Sequence, residues 1–251
     1  MTALENLARM TKDSDTDIAY FVEQLNQKQQ LITQQLNTNN EQMRGLAKRV
    51  WRVQENERKQ IAQELHDGVG QLLTALINQL QQVQNDSPTN ELTQSIELAR
   101  QALSDTRVIS RLMRPRILDD LGLVPALEWL VRVMGEPCEV LVKLHHKIDA
   151  PLKDEIQTLA FRVVQEALTN AIKHADASLI TINLIATESL LMIKIKDDGV
   201  GIQVSPQNYK EGFGLGAMHD RVAAYGGQLT INSAPGEGSE IKVLVTGKEV
   251  L

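Results

Sequence analysis

Apolar residues in the first half of the chain recur every three, four or seven positions, which is the spacing of an amphipathic helix. One stripe runs from about residue 58 to 83, and another follows the polar turn 85–90 and runs to about residue 113. The first stripe comprises Ile61, Leu65, Leu72, Leu76, Leu80 and Val83. One hairpin of such helices leaves apolar surface uncovered, so we expect two copies to pair as a four-helix bundle.

The segment before the hairpin, residues 1–56, is polar and rich in Gln and Asn. In its later half, Leu36, Met43 and Val50 lie seven positions apart, with Leu46 and Val53 between them. This short heptad pattern predicts a helix that forms a two-stranded coiled coil and continues into the hairpin. A single solvated helix remains the alternative.

The pattern changes after the hairpin. Residues 117–134 predict one more helix, and from Cys138 the order is strand, long helix, strand, strand, loop, helix, strand, strand. This order predicts an α+β sandwich in which helices cover one face of a mixed sheet. Cys138 is the only cysteine, so an internal disulfide is excluded, and we expect this residue to pack in a strand.

The first candidate for chemistry is His66, at the edge of the first apolar stripe. Asp67 follows it, and Gln71 lies one helical turn beyond Asp67. This arrangement suits an imidazole that reacts, with a carboxylate to orient it or accept its proton. A partly exposed His-Asp pair without chemistry has the same pattern. The neighbouring helices offer no further ligand set for a metal-dependent phosphohydrolase.

A second candidate is a polar row on the long helix predicted to start near Pro151. Glu166, Asn170 and Lys173 fall at positions i, i+4 and i+7, opposite a broad apolar face. Oxygen ligands beside a cation suit Mg²⁺ and phosphates. A solvated face with a Glu-Lys row is the alternative.

Two glycine-containing motifs follow. Asp197 ends an alternating strand and is followed by Gly199 and Gly201, a turn that exposes backbone and a carboxylate able to bind the amine of a base. Further on, Gly212, Gly214 and Gly216 open a helix predicted over about residues 215–225. Such a helix start favours anions, although the glycine spacing is not that of a dinucleotide fingerprint.

In this order, the motifs resemble the boxes of two-component sensor histidine kinases over about residues 55–247. Residues 57–67, 114–123 and 166–170 resemble the subgroup of the nitrate/nitrite and DegS-type sensors. The resemblance implies a dimerisation and phosphotransfer domain over residues 57–115 and a Bergerat-type ATP-binding domain over residues 116–251. The motifs that carry it are His66-Asp67, Asn170-x-x-Lys173, Asp197-x-Gly199-x-Gly201 and Gly212-x-Gly214-Leu215-Gly216.

The resemblance also implies roles. His66 would accept the γ-phosphoryl group of ATP, Asp67 would be its hydrogen-bonding partner and base, and Gln71 would orient water when the protein acts as a phosphatase. Asn170 and Glu166 would bind Mg²⁺, although many histidine kinases have Asn in place of Glu166. The remaining nucleotide-site positions would be Lys173, His174, Asp197, Gly199, Gly201, Gly212, Gly214, Leu215, Gly216 and Ser239, the last of which stands where Thr is common.

The implied partners are a second copy of the chain and a response regulator with a helix-turn-helix output domain. A net charge of −6 and a pI of about 5.5 argue against direct binding to nucleic acid. The sequence contains no apolar run of 18 residues, so we expect a cytoplasmic protein, or the cytoplasmic portion of a sensor whose membrane part lies upstream.

Two other functions remain open. An ATPase or protein-serine kinase on the same nucleotide fold would keep Asn170, Asp197 and the glycines without using His66. A dimerising scaffold with a decayed nucleotide site would use neither; the intact site motifs argue against it.

Overall fold

The computed structural model describes residues 3–201, 213–247 and 250. The chain divides into two compact units, Met1–Leu46 and Ala47–Leu251. Helix α1 covers Ala3–Glu64 and is followed by a π-helical turn, Leu65–Val69. Helix α2 covers Gly70–Asp86 and helix α3 covers Asn90–Met113.

The predicted hairpin is confirmed, with one difference. Ile77 of α2 and Ile96 and Ala99 of α3 are buried against each other, and the Thr89 hydroxyl caps α3 by accepting a hydrogen bond from the Leu92 N–H at 3.2 Å. The difference is the π-helical turn, which interrupts the α-helix that the apolar stripe predicted from residue 58 to 83.

Two predictions for the next segment are wrong. Residues 117–134 form two helices, α4 (Arg116–Leu121) and α5 (Leu123–Gly135), because Gly122 between them has a φ of +86°, which an α-helix cannot contain. Cys138 is exposed and lies in a 3₁₀ turn, Glu136–Cys138, rather than in a strand. Glu139 follows with a φ of 56°, so the chain turns before the first strand begins.

The rest of the chain forms the predicted sandwich. Its elements are β1 (Leu141–Ile148), α6 (Asp154–His174), β2 (Leu179–Thr187), β3 (Leu190–Asp197), α7 (Phe213–Ala224), β4 (Gln228–Ser233) and β5 (Ser239–Thr246). The sheet order is β1-β2-β3-β5-β4, with β1 and β2 parallel and the other neighbours antiparallel. Buried residues alternate along β2, β3 and β5, so one face of this mixed sheet covers the core.

The core of the sandwich includes a side chain from α1. Trp51 is only 5% exposed and packs edge-on against Tyr225, with ring centroids 5.2 Å apart. One helical turn later, Glu55 forms an ion pair with Arg162 of α6 at 2.7 Å, and Arg162 is 3% exposed. Burial lowers the pKa of Arg162, while the hydrogen bond and charge of Glu55 raise it.

Candidate functional site

A cavity of about 210 Å³ lies where the C-terminal half of α6, the end of β3 and the starts of α7 and β5 meet. Its walls combine apolar side chains with a few polar groups, which is typical of a small-molecule site. The lining residues are Ala167, Asn170, Ala171, His174, Ala175, Asp197, Gly201, Leu215, Ser239 and Ile241. Two helices and two strands therefore bring together residues that are up to 74 positions apart in the sequence.

Asp197 is the buried acid of this cavity, with 8% of its surface exposed. Its Oδ1 accepts hydrogen bonds from the backbone N–H groups of Gly199 at 3.0 Å and Ser239 at 3.2 Å. Within the described ranges, Oδ1 accepts all the hydrogen bonds that this carboxylate receives. The arrangement orients the carboxylate and keeps acceptor capacity on Oδ2.

The neighbouring acid has a different environment. Asp198 points to the other side of the strand, where it accepts hydrogen bonds from the Ser178 hydroxyl at 2.6 Å and the N–H groups of Ser178 and Leu179 at 2.8 and 2.9 Å. The bond from the Ser178 hydroxyl, followed by those from the backbone, lowers the pKa of Asp198. Asp198 therefore joins the end of β3 to the start of β2, while Asp197 faces the cavity.

The glycines of this motif are required by close backbone contacts. A Cβ on Gly199 would overlap the Ala175 carbonyl oxygen, which accepts a hydrogen bond from the Val200 N–H at 2.7 Å. Gly201 has a φ of +72°, and a Cβ there would overlap the Ala234 carbonyl oxygen. Gly201 lines the cavity, whereas Gly199 packs the strand end against the C-terminus of α6.

The polar row of α6 separates into three environments. Asn170 lines the cavity, and its Nδ2 is buried without a hydrogen-bond partner among the described residues. Glu166 contacts Gly214 at the start of α7, because a Cβ on Gly214 would overlap the Glu166 Oε1. Lys173 is exposed and outside the cavity lining. The Asn170 amide is thus a buried donor available to a ligand, since such groups are rarely left unpaired.

The other predicted positions are distributed as follows. His174 lines the cavity although much of it is exposed, and Leu215 and Ser239 also line it. Gly216 is half-buried in α7 and outside the lining. Gly212 lies outside the described residues.

The candidate acceptor, His66, is exposed in the π-helical turn, where the Gly70 N–H donates to the Leu65 carbonyl. A π turn of this kind is frequent at functional sites. His66 lines two cavities, one of about 340 Å³ shared with Gln71 and one of about 810 Å³ shared with α4 and α5. Asp67 is exposed and lines neither cavity.

Two protein families match the chain, and each match covers one of the two sites. The family described as histidine kinase, of the HisKA_3 type, matches residues 57–118, which contain His66. The family described as histidine kinase-, DNA gyrase B- and HSP90-like ATPase matches residues 155–248, which contain the cavity. This chain belongs to the sensor histidine kinases.

The histidine kinase is similar to curated relatives over three quarters of its length. It is 39% identical to the signal transduction histidine-protein kinase/phosphatase UhpB of Salmonella typhimurium, over 76% of this chain and 39% of UhpB. It is 31% identical to the histidine-protein kinase/phosphatase DegS of Brevibacillus brevis, over 77% of this chain and 52% of DegS. The chain thus spans about two fifths to one half of these relatives, and the resemblance to the DegS-like subgroup is confirmed.

A solved structure is also similar to this kinase. The blue-light activated histidine kinase of Erythrobacter litoralis EL346 is 20% identical and aligns with a TM-score of 0.46 over 62% of this chain and 58% of that one. Separately, none of the helices in the described part of the chain is long and apolar enough to span a membrane.

Sequence reasoning missed the residues that join α1 to the sandwich, above all Arg162. The signal was a charged residue inside the otherwise apolar run 159–164, because a buried arginine requires a partner. The partner, Glu55, lies 107 positions earlier, and periodicity carries no information about such a pair.

Proposed function

We propose that this chain is the kinase portion of a sensor histidine kinase that phosphorylates its own His66 from Mg-ATP and passes the phosphoryl group to an aspartate of a response regulator. The observation that carries the proposal is the presence, in one chain, of an exposed His66 and of a cavity with a buried acid and an amide donor that has no partner among the described residues. The decisive test is acid-labile label from γ-labelled ATP that depends on His66.

The cavity supports adenine binding through its combination of groups. Asp197 keeps Oδ2 for the exocyclic amine of the base, while Leu215 and Ile241 offer apolar walls for the ring. The Ser239 hydroxyl lies 3.0 Å from the Ser233 hydroxyl and faces the same cavity. ATP binding agrees with membership of the ATPase family, and the assignment of each residue is our proposal.

We assign the metal and phosphate side of the site to α6 and the start of α7. Asn170 and Glu166 would hold Mg²⁺, which supplies charge neutralisation on the phosphates. Both side chains offer hard oxygen ligands, which are the ligands that Mg²⁺ prefers. Among the described residues, no group of three His, Cys, Asp or Glu side chains could enclose a metal ion by itself. Mg²⁺ in such sites keeps waters and phosphate oxygens as its other ligands. Lys173, His174 and the N-terminus of α7 would neutralise the remaining charge.

At His66, the reaction is an in-line displacement. A ring nitrogen of His66 forms the N–P bond as the bond between the γ-phosphorus and the bridging oxygen breaks, and ADP leaves with the electron pair. Asp67 would accept the proton of the imidazole. Because phosphoryl transfer needs mainly positioning and charge neutralisation, the exposed place of His66 between two cavities supports this role.

The partners follow from the same chemistry. The acceptor is an aspartate of a response regulator, and we propose that its output domain has a helix-turn-helix. We also propose that residues 1–56 transmit the signal, residues 57–115 dimerise and carry His66, and residues 116–251 bind ATP. Since ATP and response regulators are cytoplasmic, the described part of the chain would act in the cytoplasm.

The chain is expected to be a homodimer. The apolar stripe of the hairpin is exposed in a single copy, with Leu72 73%, Leu76 43% and Val83 52% exposed. Leu72→Asp combined with Leu76→Asp should give a monomer, because each buried leucine contributes about 1.5–3 kcal/mol. Light scattering at about ten micromolar, roughly the range in which the wild type is expected to be dimeric, measures this.

The matched control for the dimer is Leu141→Asp, on a strand where that leucine is 57% exposed. This variant should remain a dimer. A wild-type chain that scatters as a monomer, or a double variant that stays dimeric, would contradict this interface.

We further propose that the protein removes phosphate from its regulator, which agrees with the kinase/phosphatase names of UhpB and DegS. Gln71 shares a cavity with His66, where the phosphoaspartate must dock for transfer. Its amide would hold a water in line with the phosphorus. Gln71→Ala should therefore slow dephosphorylation of the regulator about tenfold, the effect of losing one good hydrogen bond to the reacting water.

The Gln71 prediction is checked by following labelled phosphoregulator in the presence of each variant. Autophosphorylation at His66 should survive in Gln71→Ala, and Gln82→Ala, an exposed glutamine of α2 that lines neither cavity beside His66, serves as the control. Equal dephosphorylation rates for wild type and Gln71→Ala would exclude the proposed role.

A further inference from the structure

His66 lies between two cavities with different walls. The first, which we call the outer groove, is lined by α2 and α3 through Gln71, Thr74, Asn78, Thr106 and Arg107, among others. The second, which we call the inner cleft, is lined by His66 together with the end of α1, the end of α3, α4 and α5. Among the described residues, His66 is the one that lines both cavities.

The register of the hairpin fixes which α3 residues are level with His66. Ser110 donates a buried hydrogen bond of 2.7 Å to the Ala62 carbonyl, one turn before His66. One turn after His66, a Cβ on Gly70 would lie 3.9 Å from Leu103 Cδ1. Because α2 and α3 are antiparallel, His66 is level with the residues between these two contacts, Thr106 and Arg107.

An arginine of α3 lies in each cavity. Arg107 lines the outer groove, and Arg111, one turn later, lines the inner cleft. In the ranges that the structure describes, neither arginine forms an ion pair or a side-chain hydrogen bond. Other arginines of this region are paired: Arg100 with Glu97 at 3.7 Å and Arg114 with Asp119 at 2.9 Å.

The residues that line each cavity indicate which reaction partner can reach His66 through it. The inner cleft has a volume of about 810 Å³ and is bounded by α5, which packs on α6 of the ATP-binding sandwich. The wall of the inner cleft is thus continuous with the ATP-binding sandwich, which is the source of the γ-phosphoryl group in the proposed function. In the part of the chain that the structure describes, the residues that line the outer groove all belong to the hairpin. They include Gln71 but none of the exposed stripe residues Leu72, Leu76 and Val83. Pairing of two hairpins through the stripe leaves this groove open to a separate protein.

We propose that the two arginines divide the reactions of His66 between the two cavities. Arg111 binds the γ-phosphoryl group in the inner cleft during autophosphorylation, and Arg107 binds the phosphoryl group of the regulator's phosphoaspartate in the outer groove. This inference rests on the proposed function and extends it. A guanidinium suits both tasks because it offers paired N–H donors to phosphate oxygens and stays protonated.

The chemistry balances without a further reactant. In the inner cleft, the N–P bond to His66 forms while the bond to the bridging oxygen of ATP breaks and ADP leaves. In the outer groove, the oxygen of a water forms a bond to phosphorus while the acyl phosphate bond breaks. The products are inorganic phosphate and the free carboxylate, and Arg107 neutralises charge on the phosphoryl oxygens without exchanging a proton.

The test compares Arg111→Gln and Arg107→Gln in the full chain. Two rates are measured: acid-labile label taken up from γ-labelled ATP, and dephosphorylation of the response regulator that receives label fastest from the wild-type kinase. Arg111→Gln should slow label uptake about tenfold more than dephosphorylation, and Arg107→Gln should do the reverse, since each removes one charge-assisted contact. Lysine at either position should restore part of the corresponding rate.

Arg100→Gln is the matched control, because Arg100 is an exposed arginine of the same helix outside both cavities. If both variants change the two rates in the same ratio, or neither changes more than this control, the division of labour is wrong. Failure of the proposed function itself is seen separately, as a wild-type chain that takes up no acid-labile label. Equal melting temperatures of all variants would show that the fold is unaffected.

Discussion

His66→Gln is expected to abolish the uptake of acid-labile phosphate from γ-labelled ATP. Glutamine keeps a polar side chain of similar size at this exposed position but has no nucleophilic ring nitrogen, so the N–P bond cannot form. The affinity for ATP should change little, because His66 is not among the residues that line the nucleotide cavity. Filter retention of labelled protein after acid and alkaline washes measures the first quantity, and calorimetry measures the second.

The control for this experiment is His146→Gln, an exposed histidine on β1 and distant in sequence from both sites. This variant should take up label at the wild-type rate. Acid-labile label that persists in His66→Gln would assign the acceptor to another residue. Acid-stable label in both proteins would instead favour a protein-serine kinase, and turnover without label would favour an ATPase.

Asp197→Asn and Asn170→Asp are each expected to weaken Mg-ATP binding and autophosphorylation together. Asparagine at position 197 replaces an acceptor oxygen with a donor, and aspartate at position 170 removes the buried amide donor and adds a negative charge beside the phosphates. Each loss of a buried or charge-assisted hydrogen bond costs about 1.5–3 kcal/mol, roughly ten- to a hundredfold in affinity. Calorimetry with Mg-ATP provides the measurement.

Asp198→Asn is the matched control for the nucleotide site. Asp198 is adjacent in sequence, but its carboxylate binds Ser178 and Leu179 outside the cavity. The variant should lose stability in urea while its affinity for ATP stays close to that of the wild type. Since the pKa of Asp198 is lowered in the fold, its contribution is present above the ordinary carboxyl pKa and is lost as the pH falls through the lowered value. Unchanged ATP affinity in both Asp197→Asn and Asn170→Asp would exclude this nucleotide site.

The periodic elements were predictable because burial on one face leaves a repeating trace in the sequence. The hairpin and the order of the sandwich follow from spacings of three to four and of two residues. The π-helical turn could not be found from the spacing, because Leu65 and Leu72 on either side of it lie seven positions apart, as in an uninterrupted α-helix. The break at Gly122 could have been found, because a glycine with a positive φ often follows the last residue of a helix.

Within the candidate site, the sequence indicated residue types more reliably than their orientations. Asp197 and Asp198 look equivalent in the motif, and only strand alternation separates the one that faces the cavity from the one that binds Ser178. Glu166, Asn170 and Lys173 share one side of a helix in projection. In the structure their environments differ, because Glu166 contacts Gly214 of α7, Asn170 lines the cavity, and Lys173 is exposed to solvent.

The ion pair between Glu55 and Arg162 determines where a shortened but stable fragment of this protein can begin. The family match around His66 starts at residue 57, two positions after Glu55 and six after Trp51. A fragment that begins there leaves the Arg162 guanidinium buried without its carboxylate, a loss that costs about 3–5 kcal/mol, and it uncovers one side of Tyr225. The end of the segment with the heptad pattern, residues 1–56, is therefore part of the folding unit of the ATP-binding sandwich, and a stable truncation must begin upstream of Trp51.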